Sequence, residues 1–223
     1  MTRPDRSAQG RPLLISDCDD VLLHFAQHFA EWVEEEHGLL FSLDKPGFAD
    51  ALTDRDGRPV AVDTVWPLLD RFFDTEMHRQ SVVPGAIEAL AAIGEVADIV
   101  ILTNIGDHYR ANRVAQLSAF DIRHRVLCNQ GGKGRPVVEL IEEMRPSVTV
   151  FVDDLAVHHE SVNKHAPDVW RLHMISEPRL AAHSPPAPFA HARIDHWGEA
   201  RQWIMARFAD GEVADRASLA TPA

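Results

Sequence analysis

Short apolar runs that stop abruptly at acid, amide or hydroxyl recur along the chain, with stretches of helical periodicity between them. "LLIS" predicts a buried strand over residues 12–16 that ends at Asp17. "ADIVILTN" predicts a second strand ending at Thr103 and Asn104, and "HRVLCN" a third, followed by the glycine-rich turn "QGGKGRP". "VTVFVDD" predicts a fourth strand with Asp153 and Asp154 at its tip, and "DVWRLHMI" suits a fifth. From Leu22 to His37, Phe25, Phe29, Trp32 and Val33 recur at helical spacing with Glu31, Glu34, Glu35 and Glu36 opposite, until Gly38 ends the pattern. Further helices are expected from about Asp63 to Gln80, from Pro84, from Asp107 to Leu117, through "VVELIEEM" and through "WGEARQWIMARF"; "SPPAPFAHA" reads as a proline-rich loop. Strands alternating with helices predict an α/β fold, a Rossmann-like parallel sheet sandwiched by helices, whose ligands bind outside the carboxyl ends of the strands.

Composition narrows the possibilities without changing that picture. Hydrophobic residues make up 45% of the 223 and charged residues 25%, as in an ordinary globular protein. The formal net charge is -12, from 34 acidic and 22 basic residues with no run of Lys or Arg, which argues against a nucleic-acid partner. Cys18 and Cys128 are too few for a disulfide framework and have no CxxC partner, so both are expected to be free thiols. No segment is apolar for long enough to suggest a membrane span or a signal sequence, and a cytoplasmic protein, monomer or homodimer, is expected.

The polar strand tips carry the candidate chemistry. They collect Asp17, Asp19 and Asp20 from the first strand, Thr103 and Asn104 from the second, Lys133 just past the third, and Asp153 and Asp154 from the fourth. Like charges about 4 Å apart repel by roughly 4 kcal/mol at an effective dielectric near 20, so such a cluster calls for something positive beside it. Carboxylates without clustered His or Cys suit a hard cation, and Mg²⁺ together with Lys133 are the candidates.

In the motifs "DCDDVL", "VPGAIEAL" and "ILTN", the lone Lys133 and "VFVDD", taken in this order, the chain resembles the haloacid dehalogenase-like (HAD) hydrolase superfamily over roughly residues 12–175. The resemblance implies a Mg²⁺-dependent phosphatase acting on a small phosphorylated metabolite through an aspartyl-phosphate. Asp17 would be the nucleophile, and Asp19 would protonate the leaving oxygen and later deprotonate water. Thr103 and Lys133 would hold the transferring phosphoryl group, with Asp20 and Asn104 beside it. Asp17, Asp19 (through its carbonyl), Asp153 and Asp154 would hold Mg²⁺. Residues 1–22 and 81–210 would form the core domain, residues 23–80 a small helical cap, and residues 211–223 a C-terminal tail. One position departs from the family pattern, which most often has glycine where Asp20 stands, and places an extra carboxylate near the phosphate path.

Other readings of the same residues stay open. A phosphotransferase or mutase would use the same nucleophile, and a binding protein could keep the fold without turnover. A signalling receiver domain also gathers acids, Thr and Lys around Mg²⁺, but there Lys follows the acids on the last strand. His24 and His28 share a helix face without a third ligand, and His158 and His159 read first as packed helix residues.

Overall fold

A computed structural model describes residues 10–45 and 48–215; the outer parts of the expected tail and amino terminus lie outside these. The run "LLIS" forms β1 (Leu13–Ser16), in which all four residues are buried. Its side chains alternate as strand geometry requires. Leu13 and Ile15 enter one apolar layer with Val100, Leu102, Phe151 and Val137, whereas Leu14 enters the other with Ile101, Val150, Leu90 and Ile204. A strand covered on both faces must be apolar throughout, which is why the pattern reads as a continuous run.

Beyond β1 the chain makes a tight loop and enters α1 (Ala26–His37), which closes at Gly38 with φ 65°. The helix begins four residues later than the periodicity suggests. Leu22 and Leu23 carry apolar side chains in phase with it, but their backbone belongs to the loop, where their N–H groups bond the Cys18 carbonyl. A small antiparallel pair, β2 (Leu40–Phe41) and β3 (Leu52–Thr53), precedes α2 (Val62–Arg71). The expected helix to Gln80 breaks up after Arg71 into a π turn (Phe72–Glu76) and a 3₁₀ turn (Met77–Arg79).

The remaining chain alternates regularly. In order come α3 (Ala86–Gly94), β4 (Asp98–Thr103), α4 (Arg110–Ala119), β5 (Arg125–Cys128), α5 (Gly134–Met144), β6 (Thr149–Asp153) and α6 (Ala156–His165). They are followed by β7 (Trp170–His173), α7 (Pro178–His183), β8 (Ala192–Arg193) and α8 (Trp197–Asp210). The strands form one six-stranded parallel sheet in the order β5-β4-β1-β6-β7-β8. The edge strand β8 and the short α7 fall in stretches with no period of their own. Among the described residues no helix is long and apolar enough to cross a membrane.

Successive connections leave β1 toward β4 and β5 on one side and return to β6, β7 and β8 on the other. The carboxyl ends of β1, β4 and β6 therefore meet at a topological switch point, where open parallel sheets leave a crevice. Above it, residues between α1 and the 3₁₀ turn build a separate aromatic core of Phe25, Phe29, Trp32, Val65, Phe72 and Phe73. Some of its rings meet edge to face, as in Phe25–Phe72 at 5.4 Å and 82° and Phe29–Phe41 at 5.2 Å and 85°, a preferred arrangement for aromatic pairs. Ile105 and Tyr109, just past β4, pack against this core, and the Tyr109 hydroxyl donates to the Asp70 carbonyl at 3.0 Å.

Candidate active site

Asp17 continues the β1 ladder by one step, since its N–H donates to the Val152 carbonyl at 2.8 Å. That bond fixes its carboxylate at the carboxyl edge of the sheet beside Asp153, the last residue of β6. Lys133 stands immediately before α5 and is wholly buried. Its Nζ lies 2.7 Å from Asp17 Oδ1 and 2.7 Å from Asp153 Oδ2. Glycine makes this placement possible: a Cβ at Gly134 would collide with the Ser161 carbonyl oxygen of α6, so only glycine lets α5 begin so close to its neighbour.

The electrostatics follow from burial. Loss of solvent alone would push the Lys133 ammonium down, but the carboxylates of Asp153 and Asp17 outweigh it and raise it above its ordinary value. Burial raises Asp17, opposed by Lys133 and reinforced by Asp153. Burial and the charges of Asp153 and Asp17 raise Asp154 well above the usual carboxylate range. One ammonium thus faces three acids. Oxygens of Asp17, Asp153 and Asp154 all come within 4.8 Å of one another, the one group of potential metal ligands so arranged among the described residues. An all-carboxylate set short of positive charge fits a hard divalent cation such as Mg²⁺.

Asp19 is placed beside this cluster with its carboxylate held from three sides. Arg113 Nη2 donates to Oδ1 at 2.9 Å and to Oδ2 at 2.8 Å, Gln80 Nε2 donates to Oδ1 at 2.7 Å, and the Thr103 hydroxyl reaches Oδ2 at 3.4 Å. Asn104 ties together the loops around the site. Its Nδ2 donates to the Gly131 carbonyl at 2.9 Å and lies 3.3 Å from His158 Nε2, while its Oδ1 accepts from Asn129 at 2.9 Å.

Asp20 has a structural task at this edge. Its Oδ1 accepts the N–H groups of Phe25 at 2.9 Å and Ala26 at 3.2 Å, and its Oδ2 also accepts from Ala26 at 3.2 Å, so the carboxylate caps the first turn of α1. Its own N–H donates to the Leu23 carbonyl at 2.7 Å and is thereby engaged within the loop. Its φ of 54° explains the glycine common at this place in the family pattern: the backbone is left-handed here, and Asp tolerates that conformation better than most residues.

Several contributors were not singled out as site residues from the sequence. Arg113 is a fully buried cation on α4, and Gln80 is equally buried at the end of the inserted segment. No distinct sign in the sequence marks Arg113, which stands in the mostly polar and small-residue stretch RANRVAQLSA. His158 lines the cavity over the acids. His159 lies deeper, where its Nε2–H donates to the Asp153 carbonyl at 3.0 Å, and His173 Nε2–H donates to the Asp154 carbonyl at 2.8 Å. Burial pushes all three imidazoles down and keeps them neutral. His24 and His28 diverge, to Ser176 at 3.4 Å and to Ser81 at 2.9 Å respectively.

Over the acids opens a cavity of about 580 Å³, whose floor is Asp17, Asp19, Asp154, Asn104 and His158 and whose walls come largely from the inserted segment. Among solved structures the fold has many counterparts. A HAD-like hydrolase from Xanthomonas campestris matches with a TM-score of 0.57 at 14% identity, covering 92% of this chain and 99% of its own. A Bacillus subtilis protein assigned to the HAD hydrolases and bound to magnesium matches at 0.60 and 14%, covering 88% and 99%. A Lactobacillus plantarum protein assigned as a phosphoglycolate phosphatase matches at 0.58 and 14%, covering 87% and 99%. No protein-family model matches the chain, and no curated protein matches it in sequence. The fold is that of the HAD-like hydrolases, in agreement with the sequence motifs.

Proposed function

We propose that the protein is a Mg²⁺-dependent phosphomonoester hydrolase working through an aspartyl-phosphate on Asp17, with residues 23–80 as a cap over the site. The observation that carries this reading is the shared Lys133 ammonium, 2.7 Å from both Asp17 and Asp153, buried beneath the cavity whose floor includes Asp17. A carboxylate fixed by its backbone at a strand tip and flanked by a permanent cation is oriented for attack on phosphorus and costs little to reorganise. Mg²⁺ held by Asp17, Asp153 and Asp154 would neutralise charge on the phosphoryl oxygens. The magnesium in the Bacillus subtilis structure supports that assignment.

In the first half-reaction an Asp17 oxygen forms a bond to phosphorus, the bond to the ester oxygen breaks, and the alcohol leaves with a proton supplied from Asp19. In the second, water attacks the same phosphorus, Asp19 takes its proton, and the bond to Asp17 breaks to release phosphate. Lys133 offsets negative charge on Asp17 as it is regenerated. Arg113 and Gln80 orient the Asp19 carboxylate, and the cap excludes bulk water that would compete with the alcohol side of the site.

The test is phosphate release from a panel of phosphomonoesters with Mg²⁺. Asp17→Asn is expected to lose turnover by about a thousandfold or more, as for other nucleophile deletions. Chelation of the metal is expected to abolish turnover and added Mg²⁺ to restore it. A folded protein that turns over no ester in the panel overturns the reading.

A further inference from the structure

The cavity over Asp17 has an unusual wall. Trp66, Phe48, Phe25 and Phe73 all line it, and consecutive members lie nearly parallel. The centroid spacings are 6.2, 5.9 and 5.4 Å, and the interplanar angles 21°, 24° and 20°. The ladder runs from Trp66, 51% exposed, to Phe73, which is buried. From the sheet side Leu155 and Val157 also line the cavity, 48% and 63% exposed. Three of the large apolar side chains left uncovered on the described surface therefore border one cavity, whose floor is the acid cluster. Uncovered apolar side chains grouped in this way mark a binding site.

Polar groups are scarce beyond the floor. Among the described residues, Lys45 and Ser184 are the polar side chains of the lining that belong neither to the strand tips nor to the residues just beyond them. Asp20 also borders the cavity, but its carboxylate is engaged by α1. A sugar or polyol entering here would give up water from several hydroxyls and find few partners, whereas a flat ring would cover apolar surface on both walls.

Resting on the phosphomonoesterase reading above, we propose that the preferred substrates are phosphate esters of flat apolar alcohols, arylalkyl or polycyclic, and not sugar or polyol phosphates. The ring system would lie along the Trp66–Phe48–Phe25–Phe73 ladder with its phosphate at Asp17.

The experiment uses the full chain with Mg²⁺ and four primary alkyl esters, chosen so that leaving-group acidity differs little: 2-phenylethyl phosphate, 2-(1-naphthyl)ethyl phosphate, glycerol 3-phosphate and glucose 6-phosphate. Acetyl phosphate serves as a small reactive control. The naphthyl ester is expected to exceed both polyol esters in kcat/KM by about tenfold or more, a difference that apolar contacts can supply. Trp66→Ala is expected to reduce that advantage chiefly through KM. Binding without turnover gives a second readout, in which 2-(1-naphthyl)ethylphosphonate quenches tryptophan fluorescence at lower concentration than 3,4-dihydroxybutylphosphonate. Equal or faster turnover of the polyol esters, or equal binding of the two phosphonates, overturns the substrate class and leaves the hydrolase reading standing. Failure to turn over any compound, acetyl phosphate included, in a folded protein defeats the hydrolase reading and this inference with it.

Discussion

Asp20 shows how one residue can answer two demands. Its backbone must be left-handed and its side chain must satisfy α1, so the two demands separate by substitution. Asp20→Gly loses the cap but relieves the left-handed backbone of its Cβ, and is expected to cost only about 0.5 kcal/mol or less of unfolding free energy. Asp20→Ala loses the cap and leaves a Cβ in the left-handed region without it, for about 1–2 kcal/mol more than glycine. Denaturant unfolding of both variants checks the order, and equal losses would contradict it. Asp17, Asp153 and Asp154 stood out because each ends an apolar run where a strand must end, whereas Lys133, a lone lysine in a glycine turn, stood out only by its place in the order of the family motifs. Arg113 and Gln80 did not, since a lone charged or amide residue on a helix or linker looks like solvent-facing surface until a distant carboxylate is seen against it.

At the scale of elements, β1, β4 and β6 were readable because burial on both faces leaves a continuous apolar run. β8, with two residues, is too short to show any period, and its pairing with β7 is set by tertiary packing. The same holds for β2 and β3. The breakup of the predicted helix after Arg71 reflects Phe72 and Phe73, adjacent in sequence yet both buried in the aromatic core, a demand that a π turn accommodates. The start of α5 makes a sharper case. Gly134→Ala is expected to push α5 from α6, costing about 1–3 kcal/mol as for other overpacked contacts, and to lower turnover because Lys133 moves with the helix. Gly131→Ala meets nothing within 4 Å and carries only the strain of its φ of 86°, so it is expected to disturb activity less. Paired stability and activity measurements decide this; equal effects would count against close packing as the reason for Gly134.

Across the whole molecule the sheet order was not written in any one segment, because it depends on which side of β1 each later strand joins. Burial on this scale also couples protons to folding. His159 is pushed down to about 3 from 6.5, so between those values the unfolded chain binds a proton that the folded one refuses. Stability from His159 is therefore full above pH 6.5 and lost as pH falls. Asp20, raised by burial to about 7 from 3.8, acts in the opposite sense, so the informative quantity is a difference between two proteins. The stability advantage of wild type over His159→Gln is expected to shrink from pH 7 to pH 4 by up to about 1.4 kcal/mol per unit. A difference independent of pH would contradict the assignment.

The two apolar cores also divide the tryptophans of the chain, five in all. Trp32 lies inside the aromatic core over the site and Trp66 at its edge, whereas Trp170, Trp197 and Trp203 pack with the sheet layer. Light emitted by this protein thus comes from two separate bodies of structure. Replacing one set with phenylalanine leaves a chain whose fluorescence speaks for the other alone, so loosening of the aromatic core and melting of the sheet beneath it become optically distinct events.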